Sequence, residues 1–253
     1  MTLESLNIAI ALPEVFLLSM ACLVLVIDVY LPNEKRNFTY VLSQLTLLVT
    51  FALVLGNQTD SRVLAFNDLF VQDAMADALK LFILIISFGV FVYSREYLQA
   101  RNIFKGEFYV LGLFSILGMM LMVSANNLLM LYLGLELLSL CLYALVAFSG
   151  SKENSNASEA AMKYFVLGAI ASGMLLYGMS ILYGLSGSLV LADIGRAATE
   201  SLGSDEQNIG MIFAMVFIVV ALAFKLGAVP FHMWVPDVYH GSPTAVTALI
   251  GTA

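Results

Sequence analysis

Apolar residues run through this chain in long blocks, and polar residues gather in the short gaps between them. Seven blocks read as full membrane spans: Ile8–Leu31, Phe38–Gly56, Ala78–Tyr93, Phe108–Ser124, Leu128–Phe148, Met162–Leu185 and Gly210–Val229. An eighth, Pro243–Ala253, is about half a span and runs to the last residue. The sequence is therefore expected to be a piece of a longer chain. A helix needs about 20 apolar residues to cross the ~30 Å hydrocarbon core. In lipid, every backbone polar group must be satisfied internally, so only helices and closed barrels cross. These blocks are too long and too continuous for the alternating strands of ~10 residues that build a barrel. The pattern predicts an all-α fold, a polytopic transmembrane helix bundle.

Composition agrees with that pattern. Of 253 residues, 61% are hydrophobic and 11% charged, where an ordinary soluble domain carries roughly 25% charged residues. The segment before the first block holds Glu4 and no Lys or Arg, so the block reads as a retained span rather than a signal peptide. The net charge is −7 with no basic stripe, which excludes a nucleic-acid partner and leaves the lipid bilayer as the expected surroundings. Cys22 and Cys141 sit in separate apolar blocks without metal-ligand spacing and read as small buried hydrophobes.

Orientation follows from Lys and Arg in the gaps. Lys35, Arg36, Arg95, Arg101, Lys105 and Lys152 follow spans one, three and five. Arg62 and Arg196 follow spans two and six, with Lys80 added if span three starts late. The first set is expected on the cytoplasmic side, which puts the N-terminus outside. Acids such as Asp60, Asp68, Asp73, Asp77 and Asp193 fall in the outer gaps, although acids count little in this rule.

Charges inside the apolar blocks carry the chemistry, because an ionisable residue at mid-span costs ~2.5–3.5 kcal/mol on insertion scales. Glu136 lies near the centre of Leu128–Phe148 with no other charge in that block. Tyr132, Glu136, Ser139 and Tyr143 follow a spacing of four, three and four, which places them on one helix face. Lys225 lies deep in the seventh block, and Gly227, Pro230, Pro236 and Pro243 follow it. Proline removes a backbone donor and clashes with the preceding turn, so a broken seventh helix is expected just beyond Lys225. A lysine at such a break suits proton release, with snorkelling to the interface as the plainer alternative. Lys163 opens the sixth block, where snorkelling and a charge-relay role are both open. His232 and His240 flank the proline-rich stretch as possible relays or interfacial residues. Glu14 and Asp28 lie near the ends of the first block, within expected reach of water, and read as structural. Gly168 and Ser172 form a small-xxx-small pair that favours close helix packing. No phosphate-cradling loop, nucleotide fingerprint or metal-ligand cluster is found.

Three stretches carry a resemblance. Residues 126–140, Asn-Asn-Leu-Leu-Met-Leu-Tyr-Leu-Gly-Leu-Glu-Leu-Leu-Ser-Leu, resemble the fifth-helix motif of the antiporter-like membrane subunits of respiratory complex I. Residues 224–239, Phe-Lys-Leu-Gly-Ala-Val-Pro-Phe-His-Met-Trp-Val-Pro-Asp-Val-Tyr, resemble that family's broken seventh helix. The match continues through Tyr239-His240-Gly241-Ser242-Pro243-Thr244-Ala245-Val246. These motifs are shared with subunits of cation/proton antiporters and membrane-bound hydrogenases, which stand as alternatives beside a purely structural scaffold.

The resemblance implies that residues 1–105 hold three leading transmembrane helices. Residues 106–253 would then hold a first antiporter-like repeat, incomplete at its C-terminal end. It also implies that Glu136 and Lys225 match a proton-handling pair, and that Lys163 belongs to the same hydrophilic axis. The expected role is a proton-translocating subunit of an NADH:quinone oxidoreductase in a bacterial inner membrane. This chain would hold no cofactor. NADH, FMN, iron–sulfur clusters and quinone would be bound by partner subunits, and its own partners would be other membrane subunits of the complex.

Overall fold

The computed structural model describes residues 7–32, 35–59, 61–149, 155–201 and 205–252. Glu4, Asp60, Lys152 and Ala253 lie outside the described residues. Among the described residues the fold is all-α apart from one short hairpin. Its helices are α1 (Leu12–Tyr30), α2 (Asn37–Gly56), α3 (Ala74–Ala100), α4 (Glu107–Val123), α5 (Leu128–Val146), α6 (Ser155–Ser186), α7 (Leu191–Ser201), α8 (Asp205–Lys225), α9 (Trp234–Gly241) and α10 (Thr244–Thr252). Strands β1 (Val63–Ala65) and β2 (Phe70–Gln72) pair antiparallel between α2 and α3, with Leu64 opposite Val71.

Six of these helices are long and apolar enough to cross a membrane: α1 with the short 3₁₀ turn before it, α2, α3, α5, α6 and α8. The fourth expected span, α4, has 17 residues, which at 1.5 Å per residue reach about 25 Å. It is apolar and buried on almost every side, against α5, α1 and α3. A helix at the middle of the bundle meets protein all round, so its sequence shows no polar face. The others turn large apolar side chains such as Val26, Val41, Phe82, Leu133, Ile170 and Val219 outward, where lipid would cover them.

Helix starts follow local chemistry. The Asp73 side chain accepts from the Ala76 N–H and caps α3, and the Asn127 side chain accepts from the Leu129 N–H and caps α5. Pro13 sits in the first turn of α1, where a missing N–H costs nothing. Asn126 then pins the hairpin over the start of α5. Its amide donates to Asp68 O at 2.9 Å, its carbonyl oxygen accepts from Arg62 at 2.8 Å, and its backbone N–H reaches Leu69 O.

Burial corrects four sequence expectations. Glu14 and Asp28 are not at the reach of water: they are 3% and 6% exposed. Asp28 accepts a 2.6 Å hydrogen bond from Thr39 of α2. It also lies so close to Gly106 that a Cβ there would sit 1.7 Å from its Oδ1. Lys80 does not belong to an outer gap, since α3 begins at Ala74 and buries it. Its Nζ lies 2.7 Å from Glu14 Oε1 and 4.9 Å from the centre of the Phe70 ring. Cys22 is exposed on the outer face of α1, while Cys141 is buried. Hydropathy weighs a residue's neighbours in sequence, whereas burial depends on which side of the helix meets another helix.

Candidate functional site

Glycines set the distance between the helices that frame the site. Gly118 of α4 and Gly134 of α5 face each other so closely that a Cβ on either would lie within 3 Å of the other's backbone oxygen. Gly178 of α6 meets the Ala214 carbonyl of α8 in the same way, at 2.8 Å. Helices without side chains at the crossing approach until their backbones touch. That brings α4 against α5 and α6 against α8, while α5 also packs on α6, with Ser139 and Tyr143 of the α5 stripe buried.

The end of α8 is built by four separate features. Gly227 donates to Phe224 O and Ala228 to Ala223 O, the paired bonds of a Schellman termination. Gly227 takes a φ of 64°, which a residue with a Cβ would resist. The Trp234 indole N–H also donates to Phe224 O, at 2.9 Å, so that carbonyl takes a second hydrogen bond beside the one from Gly227. Pro230 follows within one turn, and the helical path resumes only at Trp234. Lys225 is thus the last residue of α8, at the negative end of its dipole.

From that position the Lys225 side chain enters the α5 stripe. Its Nζ donates to Ser139 Oγ at 2.6 Å and to Tyr143 OH at 3.1 Å. Glu136 stands on the same face one turn before Ser139, within electrostatic range of the lysine. None of the described ion pairs joins the two. Glu136 Oε1 is buried and has no hydrogen-bond partner among the described residues. The stripe read from sequence is therefore assembled as a lysine resting on two hydroxyls, with a carboxylate oxygen unpaired beside them.

Tyr143 is fixed on both sides. Its ring meets Tyr164 and Phe165 of α6 edge-on, with centres 4.6 and 5.8 Å apart. A Cβ at Gly168 would lie 2.0 Å from its hydroxyl. Half of the Gly168–Ser172 pair thus serves to admit the tyrosine. Ser172 is buried, and its hydroxyl has no partner among the described residues. Tyr164 in turn stacks on Trp234 at 4.6 Å, which ties α6 to the segment after the break.

Lys163 lies at the rim. It pairs with Asp237 of α9 at 2.8 Å and with Glu159, one turn back on α6, at 2.9 Å. His240 lines the same polar cavity. His232 does not join it: the side chain is exposed and has no partner among the described residues. Ser139 and Tyr143 were legible as members of the stripe, but not as the residues that hold Lys225. Asp237 lies within the 224–239 motif, and no spacing in the sequence links it to Lys163. Among the described residues no group of three His, Cys, Asp or Glu side chains could hold a metal ion.

Residues 125–253, which contain every group in this site, match the family described as NADH:quinone oxidoreductase/Mrp antiporter, transmembrane. The chain belongs to that family. It is 55% identical over 253 residues to NADH-quinone oxidoreductase subunit N of Thioalkalivibrio sulfidiphilus, covering 100% of this chain and 52% of that protein. It is 54% identical to the subunit N of Thiobacillus denitrificans, covering 100% and 51%. Its fold matches a chain of respiratory complex I from Thermus thermophilus with bound aureothin, at 30% identity and a TM-score of 0.74. That match covers 96% of this chain and 52% of the other. A chain of the Mrp complex from a Dietzia species shares the fold at 21% identity and a TM-score of 0.73, with 98% and 46% covered. The chain spans about half the length of the curated relatives it matches. It is a multi-pass membrane member of this family, and its leading helices lie outside the matched region.

Proposed function

We propose that this chain acts as part of a proton-translocating membrane subunit of an NADH-quinone oxidoreductase. Glu136 and Lys225 move the proton, and Lys163 is the next charge on the path. The observation that carries this reading is the contact of Lys225 with Ser139 and Tyr143 beside an unpaired Glu136 oxygen. An ionisable residue in the hydrocarbon region is costly and is usually kept for a task. Two such residues of opposite sign within electrostatic range exchange influence: charging one favours the charged form of the other. Drawing Lys225 away from Glu136, or bringing a further positive charge near it, favours release of the lysine's proton.

Redox chemistry stands elsewhere in this reading. NADH, FMN, iron–sulfur clusters and quinone are assigned to partner subunits, and this chain responds to their turnover through charge or helix movement. The membrane is the bacterial inner membrane, with the N-terminus outside. Residues 1–105 form a leading three-helix unit, and residues 106–253 belong to the antiporter-like repeat.

The test places Lys225→Met and Glu136→Gln in the assembled complex, reconstituted in vesicles, with proton uptake and NADH-to-quinone electron transfer measured together. The expected result is loss of most pumping in both variants with the complex still assembled. Full pumping in both, at normal electron transfer, would remove the proposed role and favour a structural scaffold. Sodium-dependent pumping would favour the cation antiporter reading.

A further inference from the structure

We propose that Ser139 and Tyr143 are positioning residues, which hold the Lys225 ammonium in a parked position away from Glu136 and so set how often the two charges meet. This rests on the proton-translocation reading above and adds two residues to it. A neutral hydroxyl is a weaker acceptor for an ammonium than a carboxylate. Lys225 nonetheless donates to two hydroxyls, at 2.6 and 3.1 Å, while Glu136 Oε1 on the same helix face takes no hydrogen bond. The competing acceptors are one turn apart, about 4.5 Å along the α5 axis. A lysine with four rotatable bonds spans that distance by side-chain rotation alone.

The parked position is built into the packing. Ser139 is buried. Tyr143 is held edge-on by Tyr164 and Phe165, and its hydroxyl occupies space that only a glycine at 168 leaves open. The Tyr143 ring also lies 5.5 Å from Nζ, so its face adds to the attraction. The side chains around the ammonium are Glu136, Ser139 and Tyr143 of α5, with Tyr164 of α6 and Trp234 of α9 behind the tyrosine. Among them Glu136 is the one acid. Two positions for one ammonium along this stripe follow from that inventory, with the hydroxyls favouring one and the carboxylate the other.

The experiment uses Ser139→Ala, Ser139→Thr and Tyr143→Phe in the assembled complex, with Lys225→Met as reference. Proton uptake is read beside the carboxyl band of Glu136 in difference infrared spectra. Losing a hydrogen bond to a charged group shifts a two-position equilibrium by roughly tenfold. Ser139→Ala and Tyr143→Phe are expected to shift the Glu136 band toward that of a carboxylate paired with an ammonium and to slow pumping severalfold. Ser139→Thr, which keeps the hydroxyl, is expected to leave both unchanged. A packing role for Ser139 would not move the Glu136 band. If Lys225→Met stops pumping while Ser139→Ala and Tyr143→Phe leave rate and band as in the parent, the positioning role is overturned and the translocation reading stands. If Lys225→Met pumps normally, the translocation reading itself fails.

Discussion

Lys80 of α3 and Glu14 of α1 meet at 2.7 Å with side chains only 2% and 4% exposed, the most deeply buried of the described ion pairs. The contact is ionic rather than well aligned, since neither Glu14 oxygen takes a hydrogen bond among the described residues. Such a pair gives up the hydration of two ions and regains it only through their mutual attraction and the Phe70 ring beneath the ammonium. Its net contribution to stability is therefore small, while the loss of one partner is not. Lys80→Met should destabilise the fold by about 3–5 kcal/mol. The double variant Glu14→Leu with Lys80→Met should recover most of that, because no orphan charge is left. Thermal unfolding of the detergent-solubilised protein reads both, and additive losses would show that the pair does more than cancel its own charges.

Lys163 makes the opposite kind of contact. Its partners Asp237 and Glu159 are half exposed or more, so water and salt screen them. Asp237→Asn should leave thermal stability unchanged within error, since Glu159 continues to hold the ammonium. Pumping at low ionic strength should respond if the α6–α9 contact lies on the proton path, and the measured ratio of pumping to electron transfer checks this.

Asp193, at the start of α7 outside the membrane spans, gives a pH-dependent prediction. The Ser188 hydroxyl donates to it at 2.8 Å and Arg196 pairs with it, which together hold its carboxyl below the ordinary carboxylate range. A depressed folded value means that the stabilisation is present above the unfolded value and is lost as pH falls through the folded one. Ser188→Ala should raise the Asp193 titration toward about pH 4, the ordinary value. A carbon-detected NMR titration of the Asp193 carboxyl in both proteins measures the change.

The two ends of the bundle should face opposite sides of the membrane. Arg36 pairs with Glu107 at 2.9 Å, so the α1–α2 and α3–α4 connections share one end. Asn126 and Asn127 contact the hairpin and the 189–191 segment at the other. With the Lys/Arg excess at the first end, a reporter in the 95–107 connection should be cytoplasmic and one at 193–208 external. The reverse pattern would overturn the assigned orientation.

What this sequence determined by itself is the long apolar helices and the stripe on α5, while the short helices α7 and α9 fell in stretches it left as connections. The long helices and the stripe depend on local order: runs of apolar residues long enough for the bilayer, and a four-three-four spacing that any helix converts into one face. The place where α8 stops was also legible, because a glycine and a proline act on the backbone of their own neighbours. Tertiary structure alone decided the partners. Lys225 reaches Ser139 across two helix pairs that glycines bring to backbone contact, α4 with α5 at Gly118 and Gly134, and α6 with α8 at Gly178. Lys80 finds Glu14, and Lys163 finds Asp237, across 66 and 74 positions of chain. Hydropathy averages over a window of neighbours, so it places a charge along the membrane normal. It carries no information about which helix the charge will face, because that depends on how distant segments pack.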